Sequence, residues 1–224
     1  AQIISFNLSG LALPAITIGF LITLSKKREI NGWGETLLGF GLLFYGMTMM
    51  RDELRVLGDF PSFKEFFKAF DCMPAEPGSW MPLGAVLGAI GIGIAATVLI
   101  QSSSAAMGIV LALAGSGLIN FYTAVPLLLG TNIGTTITAM LAAAAANRVA
   151  KQAALAHTLF NVFGVVLMLI LFYVPYGPER IPVFLYFINA ITPGDVFAAI
   201  PQNVERHIAM AHTFFNVTVV VVLL

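Results

Sequence analysis

The longest uncharged stretch of the chain restricts its possible folds more than any other feature. Residues 81–147 contain no Asp, Glu, Lys, Arg or His, and three apolar blocks lie there, at 82–100, 105–119 and 122–146. About 20 apolar residues are needed to cross the hydrocarbon of a bilayer. Because 58% of the whole chain is hydrophobic and only 10% is charged, the sequence predicts an all-α, polytopic helical bundle in the cell membrane.

Two polar interruptions divide the uncharged stretch. The first is QSSS at 101–104, the QSSS segment, and the apolar block that follows it is too short to cross a bilayer comfortably. We therefore expect a re-entrant helical hairpin at 82–119 that enters and leaves on the same side, with the QSSS segment at its tip. The second is GTNIGTT at 130–136, the GTNIGTT segment, which is rich in Gly and Thr. It predicts an unwound stretch in a broken transmembrane helix.

Other parts of the chain complete the bundle. Spanning helices are predicted at 8–24, 32–50 and 153–174, and a last helix begins near the C-terminus. A short helix in the membrane interface is predicted in the charged segment 51–79, with a helix in an external loop as the alternative. A second interfacial stretch is predicted within 175–206. The predicted hairpin would put the basic runs at 26–28 and 147–151 on one side, which would be the cytoplasm. Together, the two long segments carry at least as many Lys and Arg residues as these two runs. Long loops count less, so the charge bias leans toward this orientation but does not decide it.

A nine-residue sequence occurs twice. ALAHTLFNV at 154–162 and AMAHTFFNV at 209–217 match with an offset of 55 residues. We interpret them as equivalent helix starts in a repeated membrane unit. His157 and His212, together with the Asn residues of the motif, are expected to hydrogen-bond neighbouring helices, and a proton relay or a metal ligand is the alternative role for the histidines.

The polar interruptions predict a binding site without fixed charges. A half-helix N-terminus presents free N–H groups and a partial positive charge to an anion, whereas unwound carbonyl groups and hydroxyls suit Na⁺. If the two interruptions face each other, they can hold an anion and a sodium ion together. The candidate anion-binding residues are Gln101, Ser102, Ser103, Ser104, Asn132, Gly134, Thr135 and Thr136, and the candidate sodium ligands are Gln101, Ser103, Thr131 and Thr135.

A purely structural role and a catalytic role account less well for the hydroxyl-rich segments. A lone Ser or Thr in a membrane helix commonly bonds back to a carbonyl and only bends the helix, but four consecutive polar residues exceed that need. A serine nucleophile would require a base, and none lies in the uncharged stretch, where G-x-S-x-G is also absent. We therefore expect a protein that is not an enzyme. The net charge of zero gives no reason to expect nucleic acid as a partner.

Three motifs together resemble one transporter family. QSSSAAMG, GTNIGTTITA and AHTLFN are similar to motifs of the type II sodium-dependent phosphate cotransporters and their bacterial relatives. The resemblance implies sodium-coupled uptake of inorganic phosphate by an alternating-access carrier with two inverted repeats, each bearing a QSSS hairpin. It also implies that the QSSS segment helps to hold phosphate and sodium, with Asn132, Thr135 and Thr136 completing the site.

The chain departs from that family in carrying QSSS once. We expect residues 1–30 to be the last helix of a preceding repeat, 31–174 a transport repeat, and 175–224 an interfacial segment followed by a helix cut within an apolar run. The chain would then be half of an inverted-repeat carrier and would need a second QSSS-bearing repeat, from the same or another chain. A carrier of another oxyanion or of a carboxylate, and a membrane scaffold or regulatory subunit without transport activity, are the alternatives.

Overall fold

A computed structural model, which describes residues 2–6, 8–76 and 78–223, consists almost entirely of α-helices. The helices are α1 (Ser9–Thr23), α2 (Arg28–Leu57), α3 (Pro61–Lys68), α4 (Leu83–Ile100), α5 (Ser103–Gly115), α6 (Phe121–Ala143), α7 (Arg148–Phe172), α8 (Val183–Ile191) and α9 (Val204–Leu223). A two-stranded antiparallel ribbon, β1 (Pro175–Tyr176) and β2 (Ile181–Pro182), precedes α8. The predicted all-α class is confirmed.

Four of the described helices, α4, α6, α7 and α9, are long and apolar enough to cross a membrane. The predicted span at 8–24 is only a 15-residue helix, α1. The predicted span at 32–50 lies inside the 30-residue α2 and is not one of the four, since glycines and Glu35 dilute its apolar residues. α1 and α2 form an antiparallel pair in which Gly19, Gly34 and Gly41 allow the two backbones to approach closely.

The predicted helical hairpin is confirmed. α4 ends at Ile100, Gln101 takes a left-handed backbone conformation with φ of 57°, and Ser102 caps the start of α5. α4 and α6 run parallel, because Gly93 lies against Gly130 while Thr97, one turn later on α4, lies against Gly134. α5 therefore returns the chain to the end of the bundle at which α4 begins.

The prediction of a broken transmembrane helix at the GTNIGTT segment is wrong. α6 continues without interruption from Phe121 to Ala143. Gly130 and Gly134 do not unwind it; they lie where a Cβ would overlap the α4 backbone or the side chain of Thr97. The hydroxyls of Thr131 and Thr135 donate to carbonyl groups one turn earlier, those of Leu128 and Thr131, so these polar groups are satisfied without any break in the helix.

α6 is the centre of the packing. It contacts α4, α5, α7 and α9, and its residues Leu128 and Leu129 are fully buried. α7 and α9 meet where Gly164 lies against Phe215 and Val219. Because Val219 is 55 residues after Gly164, these two helices cross at equivalent positions of the repeated motif.

The long connecting segments lie at one end of the bundle. Arg51 of α2 forms an ion pair with Glu205 at the start of α9, beside the end of α5. Asp71, in the segment after α3, accepts hydrogen bonds from Asn120 (2.8 Å) and Thr123 (3.2 Å) at the start of α6. The neighbouring Cys72 is buried, and this burial raises the pKa of its thiol to about 12.

Candidate functional site

The QSSS segment forms an exposed polar turn at the start of α5. The hydroxyl of Ser102 accepts a hydrogen bond from the backbone N–H of Ala105 (3.3 Å). Gln101, Ser103 and Ser104 are exposed. The first N–H groups of a helix have no partner within the helix, and the helix dipole is positive there. The turn therefore combines hydroxyls, one amide and a helix N-terminus, all of which can donate to an anion.

The Thr hydroxyls of the GTNIGTT segment donate hydrogen bonds to backbone carbonyl groups of their own helix. Thr136 donates to Ile133 O (2.7 Å), as Thr131 and Thr135 donate to carbonyl groups one turn earlier. The lone pairs of these hydroxyl oxygens remain available as acceptors. Thr131 and Thr136 are buried, and Thr135 is partly buried. Chemically, these oxygens match a hard cation better than an anion.

Within the GTNIGTT segment, Gly130 and Gly134 face α4, the helix that leads into the QSSS segment. Thr97 of α4 lies against Gly134 and is one turn before Gln101, so the QSSS segment lies about one helical turn, roughly 5.4 Å, beyond the level of Gly134. Thr138, four residues after Gly134 and on the same face of α6, is at that level; its hydroxyl donates to Thr135 O (2.7 Å). Sequence reasoning missed Thr138, although its spacing from Gly134 is the signal that could have found it.

Asn132 is not on that face. It is two residues from Gly134, which places it about 200° around the helix. Its side-chain oxygen lies 3.2 Å from Nε2 of His212 on α9. The structure therefore separates Asn132 from the QSSS segment, although the sequence predicts that both face one ion.

The predicted interhelical bonds of the repeated motif are confirmed only for His212. The ring of His157 is exposed. Asn161 donates to His157 O (3.0 Å) and Asn216 donates to His212 O (2.8 Å), so each Asn side chain bonds within its own helix. The prediction that these Asn residues would bond neighbouring helices is wrong, but both copies of the motif have the same local geometry.

A cavity of about 980 Å³ lies at the far end of α5. Arg55, Asp71, Tyr122 and Arg206 are among its lining residues, and no predicted binding residue is. A second cavity of about 690 Å³ is lined by Phe40 of α2 and by His212 and Asn216 of α9, among others. The QSSS segment lines neither of these two cavities and lies on the open surface of the chain.

Comparison with known proteins gives one family. The Na+/Pi-cotransporter family matches residues 1–52 and 83–175, which include the QSSS and GTNIGTT segments. The uncharacterized protein YqeW of Bacillus subtilis is 32% identical over 67% of this chain and 45% of its own length. The sodium-dependent phosphate transport protein 2C of Rattus norvegicus is 47% identical over 35% of this chain and 14% of its own length. The putative inorganic phosphate export protein YjbB of Escherichia coli is 28% identical over 75% of this chain and 29% of its own length.

The chain spans less than half of the length of each of these three relatives. No solved structure matches it.

Proposed function

Because the chain belongs to the Na+/Pi-cotransporter family, we propose that it carries inorganic phosphate across the membrane, coupled to sodium ions, by alternating access. One observation carries the proposal most directly: the QSSS segment, inside the matched region, joins two apolar helices and offers uncharged donors at the start of α5. Such a turn within apolar surroundings suits an ion-binding role.

Phosphate and sodium bind to different groups of the proposed site: phosphate to hydrogen-bond donors, and sodium to oxygen ligands. Phosphate is held by the exposed side chains of the QSSS segment and by the positive end of α5. Sodium is coordinated by oxygens of Gln101, Ser103 and Thr135, since hard cations take oxygen ligands. Thr131 lies about two helical turns from the level of the QSSS segment and is too far away to share that ion. Each ion offsets the charge of the other, so no arginine is needed in the membrane, where its burial costs at least about 2.5 kcal/mol.

A second QSSS-bearing unit completes the site. The exposure of Gln101, Ser103 and Ser104 supports this, because a transported ion must be shielded from lipid on every side. The partner unit belongs to the same protein or to another copy, and movement of one unit against the other gives alternating access. Uptake is the proposed direction, and export, after the name of the E. coli relative, is the alternative.

The proposal is tested with Ser103→Ala and Thr135→Ala in the protein expressed from its complete gene. Phosphate transport into proteoliposomes is measured with a sodium gradient and with a potassium gradient. We expect the sodium-dependent transport rate of each variant to fall at least about tenfold, because each substitution removes a charge-assisted contact. The amount of protein in the membrane is expected to stay unchanged. Ser116→Ala, at the other end of α5, is the matched control and keeps the wild-type rate.

Each outcome separates one alternative. Wild-type rates in both variants would refute the assignment of the site. Competition of phosphate uptake by sulfate, arsenate or succinate identifies a carrier of another oxyanion or of a carboxylate. A wild-type protein that transports none of these anions, and is not stabilised thermally by sodium, would instead be a scaffold or regulatory subunit.

A further inference from the structure

Aromatic side chains are exposed at the end of the bundle that carries the long connecting segments. Trp80, just before α4, stacks on Tyr173 at the end of α7, with ring centroids 6.2 Å apart. Tyr176 of β1 and Tyr186 of α8 form a second ring pair, with centroids 4.3 Å apart. The relative exposures of Trp80, Tyr176 and Tyr186 are 52%, 50% and 40%. Three large rings with polar tips are therefore left uncovered by the described part of the chain.

The β-ribbon brings a cation to the same place. The guanidinium carbon of Arg180 lies 4.9 Å from the centroid of the Trp80 ring. Tyr176 pairs with Ile181, the residue after Arg180, so the ribbon joins the two groups of rings. Arg180 forms no ion pair with any other described residue. We call these four side chains the ribbon surface: Trp80, Tyr176, Arg180 and Tyr186.

The polar groups of the ribbon surface have unused hydrogen-bond donors. Within the described ranges, no hydrogen bond involves the hydroxyl of Tyr176 or Tyr186. The hydroxyl of Tyr173, by contrast, donates to Met81 O (3.3 Å) and holds the segment before α4 against the end of α7. A guanidinium has five N–H donors, and contact with a ring does not use them up. The surface therefore offers donors and one positive charge beside apolar rings.

The position of the ribbon surface along the helices matches the surface of a bilayer. α4 and α7 are both long and apolar enough to cross a membrane. α4 begins three residues after Trp80, and Tyr173 directly follows the last residue of α7. Both crossing helices therefore reach this end of the bundle at the level of the exposed rings. Trp and Tyr are enriched at the headgroup level of membranes, where one end of the side chain is apolar and the other is wet.

We propose that the ribbon surface binds phospholipids in the headgroup layer of the leaflet at this end of the bundle. The rings lie between the headgroups and the acyl chains, and the guanidinium of Arg180 donates to a lipid phosphate. One basic side chain at the membrane surface favours an anionic lipid by about fivefold, so an anionic phospholipid binds more tightly than a neutral one. The inference uses only the location of the chain in a membrane and does not depend on phosphate transport.

The depth of Trp80 is measured by fluorescence in lipid nanodiscs, whose two faces are both open to the buffer. In the protein expressed from its complete gene, every other tryptophan is replaced by Phe, so the ribbon surface itself is unchanged. We expect phospholipids brominated near the headgroup to quench Trp80 at least about twice as strongly as phospholipids brominated at the acyl-chain ends. Iodide in the buffer should quench it weakly.

A second protein provides the control for depth. It carries Trp80→Phe and Phe163→Trp, so that its single tryptophan is at an exposed position of α7. Phe163 is nine residues before the end of that helix, or about 14 Å deeper in the membrane. Lipids brominated at the acyl-chain ends should quench this tryptophan more strongly than lipids brominated near the headgroup.

The contact of Arg180 with a lipid phosphate is measured with the protein whose single tryptophan is Trp80. Brominated phosphatidylglycerol or brominated phosphatidylcholine is added to nanodiscs of unbrominated phosphatidylcholine. The ratio of the two quenching efficiencies gives the enrichment of the anionic lipid beside Trp80. We expect an enrichment of about two- to fivefold, which disappears in Arg180→Gln. Arg55→Gln removes an exposed cation at the same end of the bundle but outside the ribbon surface, and keeps the enrichment.

The results can overturn the proposal at each step. Strong quenching of Trp80 by iodide, with weak quenching by brominated lipids, would place the ribbon surface in water. Quenching that is strongest from the acyl-chain ends would place it below the headgroups, which also contradicts the proposal. Equal enrichment in wild type and Arg180→Gln would refute the contact of Arg180. If Arg180→Gln does not fold, the wild-type enrichment decides: its loss at high salt supports the contact, and its absence or its persistence at high salt refutes it.

Discussion

Gly93 sets the closest approach between two helices of the bundle. A Cβ at this position would overlap the carbonyl oxygen of Leu127 on α6. That oxygen belongs to the backbone, so it cannot move away as the end of a flexible side chain could. We expect Gly93→Ala to destabilise the protein by about 1–3 kcal/mol, the usual cost of overpacking a close contact. The thermal unfolding midpoint of the purified protein in detergent measures the effect.

Gly91 provides the matched control on the same helix. A Cβ there meets no atom within 4 Å. Gly91→Ala is therefore expected to leave the unfolding midpoint unchanged or to raise it slightly, since Ala is favoured over Gly in a helix by about 1 kcal/mol. Equal midpoints for the two variants would mean that α4 and α6 are not in backbone contact.

Glycine also shows why part of the site is not predictable from sequence. The Gly residues of the GTNIGTT segment predict a place where a helix unwinds, but Gly130 and Gly134 are places where a neighbouring helix approaches. An unwound helix and a close helix–helix approach both favour a residue without a side chain, so the presence of Gly does not distinguish them. The prediction of a hairpin with the QSSS segment at its tip is correct, because four consecutive polar residues and a short following apolar block leave fewer alternatives.

An ion pair joins α2 to α9. The relative solvent exposures of the Arg51 and Glu205 side chains are only 16% and 20%. The two side chains meet beside Gly115 of α5, where the absence of a Cβ leaves room for them. Removing one member of a buried pair leaves the other charge unpaired, which costs about 3–5 kcal/mol in full burial. Because this pair keeps some contact with solvent, we expect Arg51→Ala to lower the unfolding free energy by about 1–3 kcal/mol.

The same helix supplies the control for this pair. Arg55 is one turn further along α2 and has no ion-pair partner among the described residues. Arg55→Ala should therefore cost less than Arg51→Ala in the same unfolding measurement. The double variant Arg51→Met with Glu205→Leu should recover part of the loss, because apolar residues of similar size often replace a buried pair without cost. If the double variant is less stable than either single variant, the pair is not the source of the effect.

At the scale of helices, sequence reasoning finds the elements but not all of their contacts. The hairpin follows from the lengths of apolar runs, and the repeated motif locates two equivalent helices. The bond between His212 and Asn132 depends on how α9 lies against α6. Residues 80 positions apart carry no local signal of such a contact, so the motif identifies two candidate histidines without showing which one reaches α6.

The packing places both short basic connections at the same end of the whole molecule. The ion pair of Arg51 puts the end of α2 beside the start of α9, so the start of α2 and the basic run at 26–28 lie at the opposite end. α6 begins beside Asp71 and ends at Ala143, which places the connection with Arg148 at that opposite end too. The sequence predicts this arrangement only if residues 82–119 form a hairpin, and the structure contains that hairpin. The positive-inside rule then favours this end as cytoplasmic, because short loops weigh more than long ones.

This orientation predicts opposite labelling of two exposed alanines. Ala146 lies in the short connection after α6, and Ala75 lies in the long segment after α3. In right-side-out membrane vesicles, a membrane-impermeant maleimide should label Ala75→Cys directly and Ala146→Cys only after permeabilisation. The unmodified protein is the control, since the pKa of about 12 at the buried Cys72 keeps the thiolate, the reactive form, scarce near neutral pH. Labelling of Ala146→Cys before permeabilisation, with Ala75→Cys protected, would reverse the assignment. The QSSS segment would then open to the outside, because α4 ends toward the same side as α6.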